Sequence, residues 1–518
     1  MIDRLFAIVR ADFLIRFRRL STLVVFLLLS FTPYLWVPDP SSGHAIFVAD
    51  GKRALYTSGA MGVATATIGT LFVGLFGYYV VSNAIRRDLE TRCGFVIAST
   101  PMRGGEYLFA KFAGNAAFLA VFMAGFMASS MAMLLVRAEA PLEPWTFLRQ
   151  YLILTPSSII FVSALAVTFE SIPFLSGRFG DVAYFFLYLA SLGGIAIVAV
   201  AGRNDAALYF DPAGLAYLFT ELQRTLATEN ISIGATPFDA SRGTFLFDGL
   251  MLRSEMVLPR VVSTLIPLPL LLVARLFFHR FDPARVREER PGTRGRWIGR
   301  LQMLVKPLTR PIASLQLALV GGAPTLLRTA LADALLSFMI HPALTIAAIG
   351  FAIAGLAAPP AGLLRIALAV AALAIADIPC REMRSGTAPL AYSAPRFDRH
   401  FVAVKLSSTL IVAALFVAVP ALRLLVTDPA ALLRLAVGLL FLAAAAVFFG
   451  IASANPKTFI VLFLTFWYVA INDKAATAAL DFAGFLGKAT PAVTLAYLAI
   501  AAACAIAAVT AHRMRKPL

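Results

Sequence analysis

Residues 484–490 are the closest approach in this sequence to a nucleotide-binding motif. A P-loop needs four residues between its glycines and a Ser or Thr after its lysine, because backbone amides surround the phosphates and the hydroxyl holds Mg²⁺. Here the stretch reads Gly-Phe-Leu-Gly-Lys-Ala-Thr, so the glycine spacing is short and Ala489 replaces the hydroxyl residue. The sequence therefore predicts no ATP site and no cofactor in this chain.

Residue types that could bind a metal or act as a nucleophile are scattered along the chain. Cys93, Cys380 and Cys504 are too few and too far apart for a disulfide framework or a metal cluster. No histidine begins the His-Glu-x-x-His pattern of zinc proteases. We therefore expect neither a metal site nor an enzyme. The histidines, expected in loops, at interfaces or in packing roles, are His44, His279, His341, His400 and His512.

Ionisable residues inside apolar segments are candidates for function by default. Those in this chain are few: Glu170, Arg260, Asp377, Asp473 and Lys474. All lie near the ends of their segments, from which their side chains can reach an interface. A proton-coupled carrier would need an acidic or histidine relay at the membrane centre. The pattern favours energy supplied from outside the chain.

The composition identifies the chain as a membrane protein. Of its 518 residues, 60% are hydrophobic and 14% are charged, whereas soluble domains have about 45–50% apolar and about 25% charged residues. The formal net charge is +17. In so apolar a chain, basic charge favours cytoplasmic loops over nucleic-acid binding.

Apolar segments of about 20 residues predict membrane spans. With the N-terminus in the cytoplasm, 31 of the 45 basic residues fall on the cytoplasmic side, which agrees with the positive-inside rule. The C-terminus is then cytoplasmic as well. We predict an all-α polytopic protein with about twelve spans, at 21–37, 61–84, 110–135, 151–173, 182–201, 257–277, 340–358, 362–378, 402–426, 431–453, 457–472 and 490–511.

The spans divide into two halves. The first covers 21–277 and the second 331–518, with an Arg-, Pro- and Gly-rich linker at 278–330. The outer loop 202–256 is expected to form a small external domain that is too short for a large core. Residues 1–20 are expected to form an amphipathic helix on the cytoplasmic face. Its apolar stripe is Leu5, Ile8, Val9, Phe13, Phe17 and Leu20, with Arg4, Arg10, Arg16, Arg18 and Arg19 on the remaining surface.

An internal repeat supports the two halves. Residues 87–112 and 381–406 align without a gap at an offset of 294, and each links the second and third spans of its half. A second correspondence pairs Asp12 with Asp333 at an offset of 321. Two six-span halves in the same orientation are expected to form parallel repeats. The matched pairs are Arg87 with Arg381, Asp88 with Glu382, Ser99 with Ser393, Pro101 with Pro395, and Lys111 with Lys405.

The repeated segment resembles the ABC-2 type transporter permeases, the membrane subunits of type V exporters. Their pattern is an acidic residue, a variable run, Ser-Thr-Pro and a Lys that opens the third span. Asp88 and Glu90, then Ser99 to Pro101, Glu106 and Lys111 follow it. The second copy keeps Glu382, Ser393, Pro395 and Lys405 but is degenerate, with Ala394 in place of Thr.

The resemblance implies an exporter driven by separate ATPase subunits, which would carry ATP and Mg²⁺. The segment between spans two and three would form a coupling helix that docks on the ATPase. We expect Ser99 or Thr100 to cap this helix, Pro101 to start it and Glu106 to lie on its exposed side. The expected partners are two ATPase copies, the lipid bilayer of a bacterial inner membrane, and a second copy of the chain or accessory subunits. The expected coupling residues are Arg87, Asp88, Glu90, Ser99, Pro101, Glu106, Lys111, Arg381, Glu382, Ser393, Pro395 and Lys405.

Two alternatives stay open. A twelve-span secondary carrier of the major-facilitator kind would also have two parallel halves, but its Gly-x-x-x-Asp-Arg-x-Gly-Arg loop is missing between spans two and three. The other alternative is a membrane scaffold without transport. The sequence identifies neither the substrate nor the direction of transport.

Overall fold

The computed structural model describes residues 2–18, 26–27, 30–34, 36–137, 139–200, 205–279, 281, 310–322, 325–341, 343–472 and 477–515. The chain forms two compact units, Met1–Glu288 and Glu289–Leu518. Helices contain 77% of the residues and strands contain 4%. The boundary between the units falls within the segment 278–330, where the sequence predicts a linker.

The first unit is built on long helices. Ser58–Glu90, Gly104–Arg137, Pro144–Ser171 and Ser254–Phe277 are each long and apolar enough to cross a membrane. Its helices are α1 (Ile2–Phe17), α2 (Ser58–Glu90), α3 (Cys93–Ser99), α4 (Gly104–Arg137), α5 (Pro144–Ser171), α6 (Arg178–Val200), α7 (Leu215–Leu226) and α8 (Ser254–Phe277). A π-helical turn at Val73–Gly77 and a break at Ser82 and Asn83 interrupt α2, so that its last piece is Ala84–Glu90.

The second unit has four more helices of spanning length, Pro360–Ser385, Phe397–Thr427, Pro429–Ser453 and Pro491–Met514. Its helices are α9 (Arg310–Val320), α10 (Leu326–Ile340), α11 (Ala343–Ala357), α12 (Pro360–Ser385), α13 (Ala388–Tyr392), α14 (Pro395–Thr427), α15 (Pro429–Ser453), α16 (Pro456–Asn472) and α17 (Pro491–Met514). Pro stands at the first position of α5, α12, α14, α15, α16 and α17, where its missing N–H has no helical partner to lose.

Eight of the twelve predicted spans coincide with these long helices. The predicted spans at 182–201, 340–358 and 457–472 fall on α6, α11 and α16. α11 and α16 have 15 and 17 residues and are shorter than the usual spanning length, but α10 and α11 together are long and apolar enough for one bent span. Of the predicted span at 21–37, the structure describes only the pieces 26–27, 30–34 and 36–37.

The prediction of an all-α chain is wrong for one end of the first unit. Four strands form a sheet there in the order β3-β1-β2-β4: β1 (His44–Ala49), β2 (Lys52–Ala54), β3 (Ile231–Pro237) and β4 (Thr244–Phe245). β1 pairs antiparallel with β3, so the loop before α2 completes the sheet of the predicted external domain 202–256. The sequence treats the two loops separately, and neither alone offers enough strand for a stable sheet.

The apolar stripe of α1 faces the protein. Leu5, Ile8 and Val9 are half-buried, and the helix packs along α4. Arg16, predicted on the polar surface, is instead buried on this inner face with Asp12, while Phe6 is exposed. The helix is therefore fixed by polar contacts as well as by apolar packing.

Arg260, expected to reach an interface from the outer start of span six, is buried instead. Its guanidinium donates to the carbonyls of Ile153 and Leu154, at 2.8 and 2.7 Å. Pro156 interrupts the hydrogen bonding of α5 at this turn. Arg260 thus satisfies carbonyls beside the proline and ties α8 to α5.

Candidate functional site

A buried ion-pair cluster connects α1, α2 and α4 in the first unit. The Lys111 ammonium donates to both Asp12 carboxylate oxygens, at 3.0 and 2.8 Å. It also pairs with Asp88 at 2.6 Å. Arg87 also donates to Asp12, at the Oδ1 atom that Lys111 contacts. Since Lys111 is 1% exposed and Asp88 7%, each charge depends on the others for the solvation that water would supply.

Polar neighbours complete the first cluster. The Tyr107 hydroxyl donates to Asp88 at 2.8 Å. Arg16, one turn after Asp12 on α1, donates to the side chain of Asn115 at 2.7 Å and to the carbonyl of Val81 at 3.1 Å. Through Arg16, α1 is therefore tied to both α2 and α4.

The second unit contains the same cluster at the matched positions. Lys405 donates to both Asp333 oxygens at 3.2 Å and pairs with Glu382 at 2.5 Å. Arg381 pairs with Asp333 at 3.2 Å. Ser408 adds a hydrogen bond to Asp333 at 2.8 Å. The counterpart of Tyr107 is Phe401, which has no hydroxyl to donate. The pairs that the sequence alignment matches thus make equivalent contacts inside each unit.

The chain leaves each cluster through a reversal and a short helix. Arg92 precedes α3 with a φ of 61°, and its counterpart Gly386 ends α12 with a φ of 73°. The short helices α3 and α13 follow. Ser99 donates to the Val96 carbonyl, and Ser393 donates to the Leu390 carbonyl, both at the end of the helix. The two segments therefore share a backbone path as well as charge contacts.

Each short helix exposes one apolar side chain at the same position. Val96 is 68% exposed and Leu390 is 77% exposed, and they match at the offset of 294. A single exposed apolar residue is ordinary on a protein surface, but here the same position is exposed in both units.

The predicted cap is wrong in the first unit. Ser99 ends α3 and its hydroxyl bonds backward, so it does not cap a following helix. Pro101 lies between α3 and α4, and Glu106 is half-buried and accepts the backbone N–H of Arg103 at 3.1 Å, as a capping residue of α4. In the second unit, Pro395 does start a helix.

The twelve predicted coupling residues thus divide into two groups. Arg87, Asp88, Lys111, Arg381, Glu382 and Lys405 lie in the two clusters; Asp88, Lys111 and Lys405 are buried, and the other three are half-buried. Glu90, Ser99, Pro101, Glu106, Ser393 and Pro395 lie on or beside the short helices. Glu90 pairs with Arg86 at 2.7 Å on the exposed surface.

Sequence reasoning missed Asp12 and Asp333 as site residues, although it matched them as a pair. Each accepts from both an Arg and a Lys, which makes it the central acid of its cluster. The available signal was an acidic residue at corresponding places in the helices that precede the two halves.

The clusters are suited to hold elements together. Each joins a preceding helix, the end of one long helix and the start of the next. Within the described part of the chain, no group of three or more His, Cys, Asp or Glu side chains is arranged to hold a metal ion. The arrangement can transmit a displacement of the short helix to the long helices, because buried ion pairs resist separation.

The loop that resembles a P-loop is folded around its own carboxylate. Asp481 is fully buried and accepts the backbone N–H groups of Leu486, Lys488 and Ala489, at 3.0, 2.9 and 3.0 Å. The amides that would surround a phosphate are therefore already occupied.

Comparison with known proteins adds no relative. No family model matches the chain, and no curated protein and no solved structure is similar to it at a significant level.

Proposed function

We propose that this chain is the membrane-spanning subunit of an ATP-binding-cassette transporter of the ABC-2 kind, and that it exports its substrate. Two six-span repeats would form the path, and separate ATPase subunits would bind and hydrolyse ATP. The protein would lie in a bacterial inner membrane with both termini in the cytoplasm. The eight helices of spanning length support the membrane location.

The observation that carries the proposal is the pair of equivalent short helices. Each exposes an apolar residue, Val96 or Leu390, and follows directly after a buried ion-pair cluster. A partner that binds the exposed residue would displace the short helix when the partner moves. The cluster would pass this movement to α1, α2 and α4 in the first unit, and to α10, α12 and α14 in the second.

Alternating access follows from this coupling. When the ATPase subunits close on ATP, the two short helices would approach each other and the long helices would tilt with them. Hydrolysis would reverse the movement. The chain's own residues bind no nucleotide in this scheme and serve only to couple.

The test is to place a charge on each exposed residue. In the full chain coexpressed with cassette ATPases of the source organism, Val96→Glu combined with Leu390→Glu should abolish copurification of the ATPase and ATP-driven transport. The matched control is Val136→Glu, because Val136 is similarly exposed, at 75%, but lies at the other end of α4. This control should retain both.

Unchanged ATPase binding by the double variant would contradict the docking role of the short helices. Substrate uptake driven by an ion gradient without ATP would support a secondary carrier instead.

A further inference from the structure

The two short helices differ in what lies behind them. In the first unit, Phe281 fills this space and is 5% exposed. Its ring lies 5.4 Å from that of Tyr107, edge to face. It also packs so close to Gly94 that a Cβ there would lie 2.7 Å from the ring. Only about 10 Å³ of open space is left beside Phe281.

The second unit has a different residue at this position. Phe278 stacks on Tyr107, and His512 stacks in the same way on Phe401, the counterpart of Tyr107. Three residues further along the chain stand Phe281 in the first unit and Arg515 in the second. By this register, Arg515 replaces the aromatic side chain.

Arg515 leaves the space open. Its guanidinium turns to the carbonyl of Ala452 at 2.6 Å and to the sulfur of Met383 at 3.5 Å. A cleft of about 500 Å³ results beside α13. Its lining includes Met383, Ala388, Pro389, Tyr392, Asp398 and Arg515.

The charge around the two short helices also differs. Beside α3, the exposed acid Glu90 pairs with Arg86. Beside α13, Glu382 pairs with Lys405 and Asp398 with His512, and Asp398 also lines the cleft. The exposed arginines on the segments around the cleft include Arg399, Arg513 and Arg515, and also Arg384, which pairs with Asp377 at 2.6 Å.

We propose that the two units bind two non-identical ATPase subunits, and that the subunit on the second unit inserts a large apolar side chain from an acidic segment into this cleft. The inference rests on the proposed function. Phe281 supplies the internal precedent, since the first unit fills the same space with its own aromatic ring. The exposed arginines favour acidic residues beside the inserted side chain, because complementary charge selects between partners.

The experiment fills the cleft with a larger side chain introduced into this chain itself. The full chain is coexpressed with the cassette ATPases of the source organism, purified, and examined by native mass spectrometry, which identifies each bound subunit by mass. The wild-type chain should carry one copy of each of two different ATPases. Arg515→Phe should weaken the second-unit ATPase at least tenfold and leave the other bound.

Matched variants separate the possible causes. Ala388→Trp fills the cleft from its other wall and should have the same effect as Arg515→Phe. Arg513→Phe changes an exposed neighbour that does not line the cleft and should retain both subunits. Leu390→Glu should remove the same ATPase as Arg515→Phe, whereas Val96→Glu should remove the other.

Two results would overturn the inference while leaving the proposed function intact. One is a wild-type complex that carries two copies of the same ATPase. The other is a second-unit ATPase that is lost with Leu390→Glu but retained with both cleft-filling variants. A wild-type chain that carries no ATPase would contradict the proposed function, and this inference with it.

Discussion

Replacing Lys111 with methionine should strongly destabilise the first unit. Methionine keeps the apolar length of the side chain and removes only its charge, so Asp12 and Asp88 remain buried, and among the ion pairs of the described residues they keep only Arg87. Removing one member of a buried ion pair costs about 3–5 kcal/mol, since the remaining charge has neither a partner nor water. At 1.4 kcal/mol for each factor of ten, the folded-to-unfolded ratio should fall roughly 100-fold to 4,000-fold.

The measurement is equilibrium unfolding in mixed micelles, with the exposed Lys52→Met as the control. The control should change stability by less than about 0.5 kcal/mol. Adding Asp88→Asn to Lys111→Met should restore part of the loss, because it removes a charge that has lost its partner. Equal stability of Lys111→Met and Lys52→Met would refute the assignment of Lys111 to a buried cluster that holds the helices together.

Three further predictions concern other parts of the first unit. Arg53 bonds to Glu139 and lowers the pKa of the Glu139 carboxyl below its usual 4.5. The ionised carboxylate therefore stabilises the folded state above pH 4.5, and this stabilisation is lost as the pH falls through the lowered pKa. Glu139→Gln should remove this acid sensitivity in thermal unfolding. Gly74→Ala would overlap the ring of Tyr188 and should destabilise by about 1–3 kcal/mol in the same unfolding assay. Arg260→Met should destabilise by at least about 1–3 kcal/mol, seen as a lower unfolding midpoint, because buried carbonyls of α5 lose their donor.

The long apolar helices and much of the repeated segment could be predicted from the sequence alone. Spanning length and hydropathy are properties of a contiguous stretch, and eight predicted spans coincide with long helices for that reason. The register between residues 87–112 and 381–406 is equally local. It correctly paired Lys111 with Lys405, whose contacts in the two units are equivalent.

The partners of those lysines were decided by the tertiary structure. Asp12 lies 99 residues before Lys111, and no periodicity in the sequence brings them together. The sheet shows the same limit, since β1 and β3 are separated by some 180 residues of chain and are too short to be recognised singly. The prediction that Ser99 caps a following helix was wrong, because the sequence indicates a helix end at Ser99 but not whether the helix precedes or follows it.

Hydropathy and repeat spacing thus determined which segments form helices and which positions correspond. The three-dimensional packing decided which charges meet, and it placed six of the twelve predicted coupling residues in the two ion-pair clusters. It also decided that the space behind α3 is filled by Phe281 while the space behind α13 stays open. The physical reason is that each of these features depends on contacts between residues far apart in the chain, whose energies are fixed only when the helices pack.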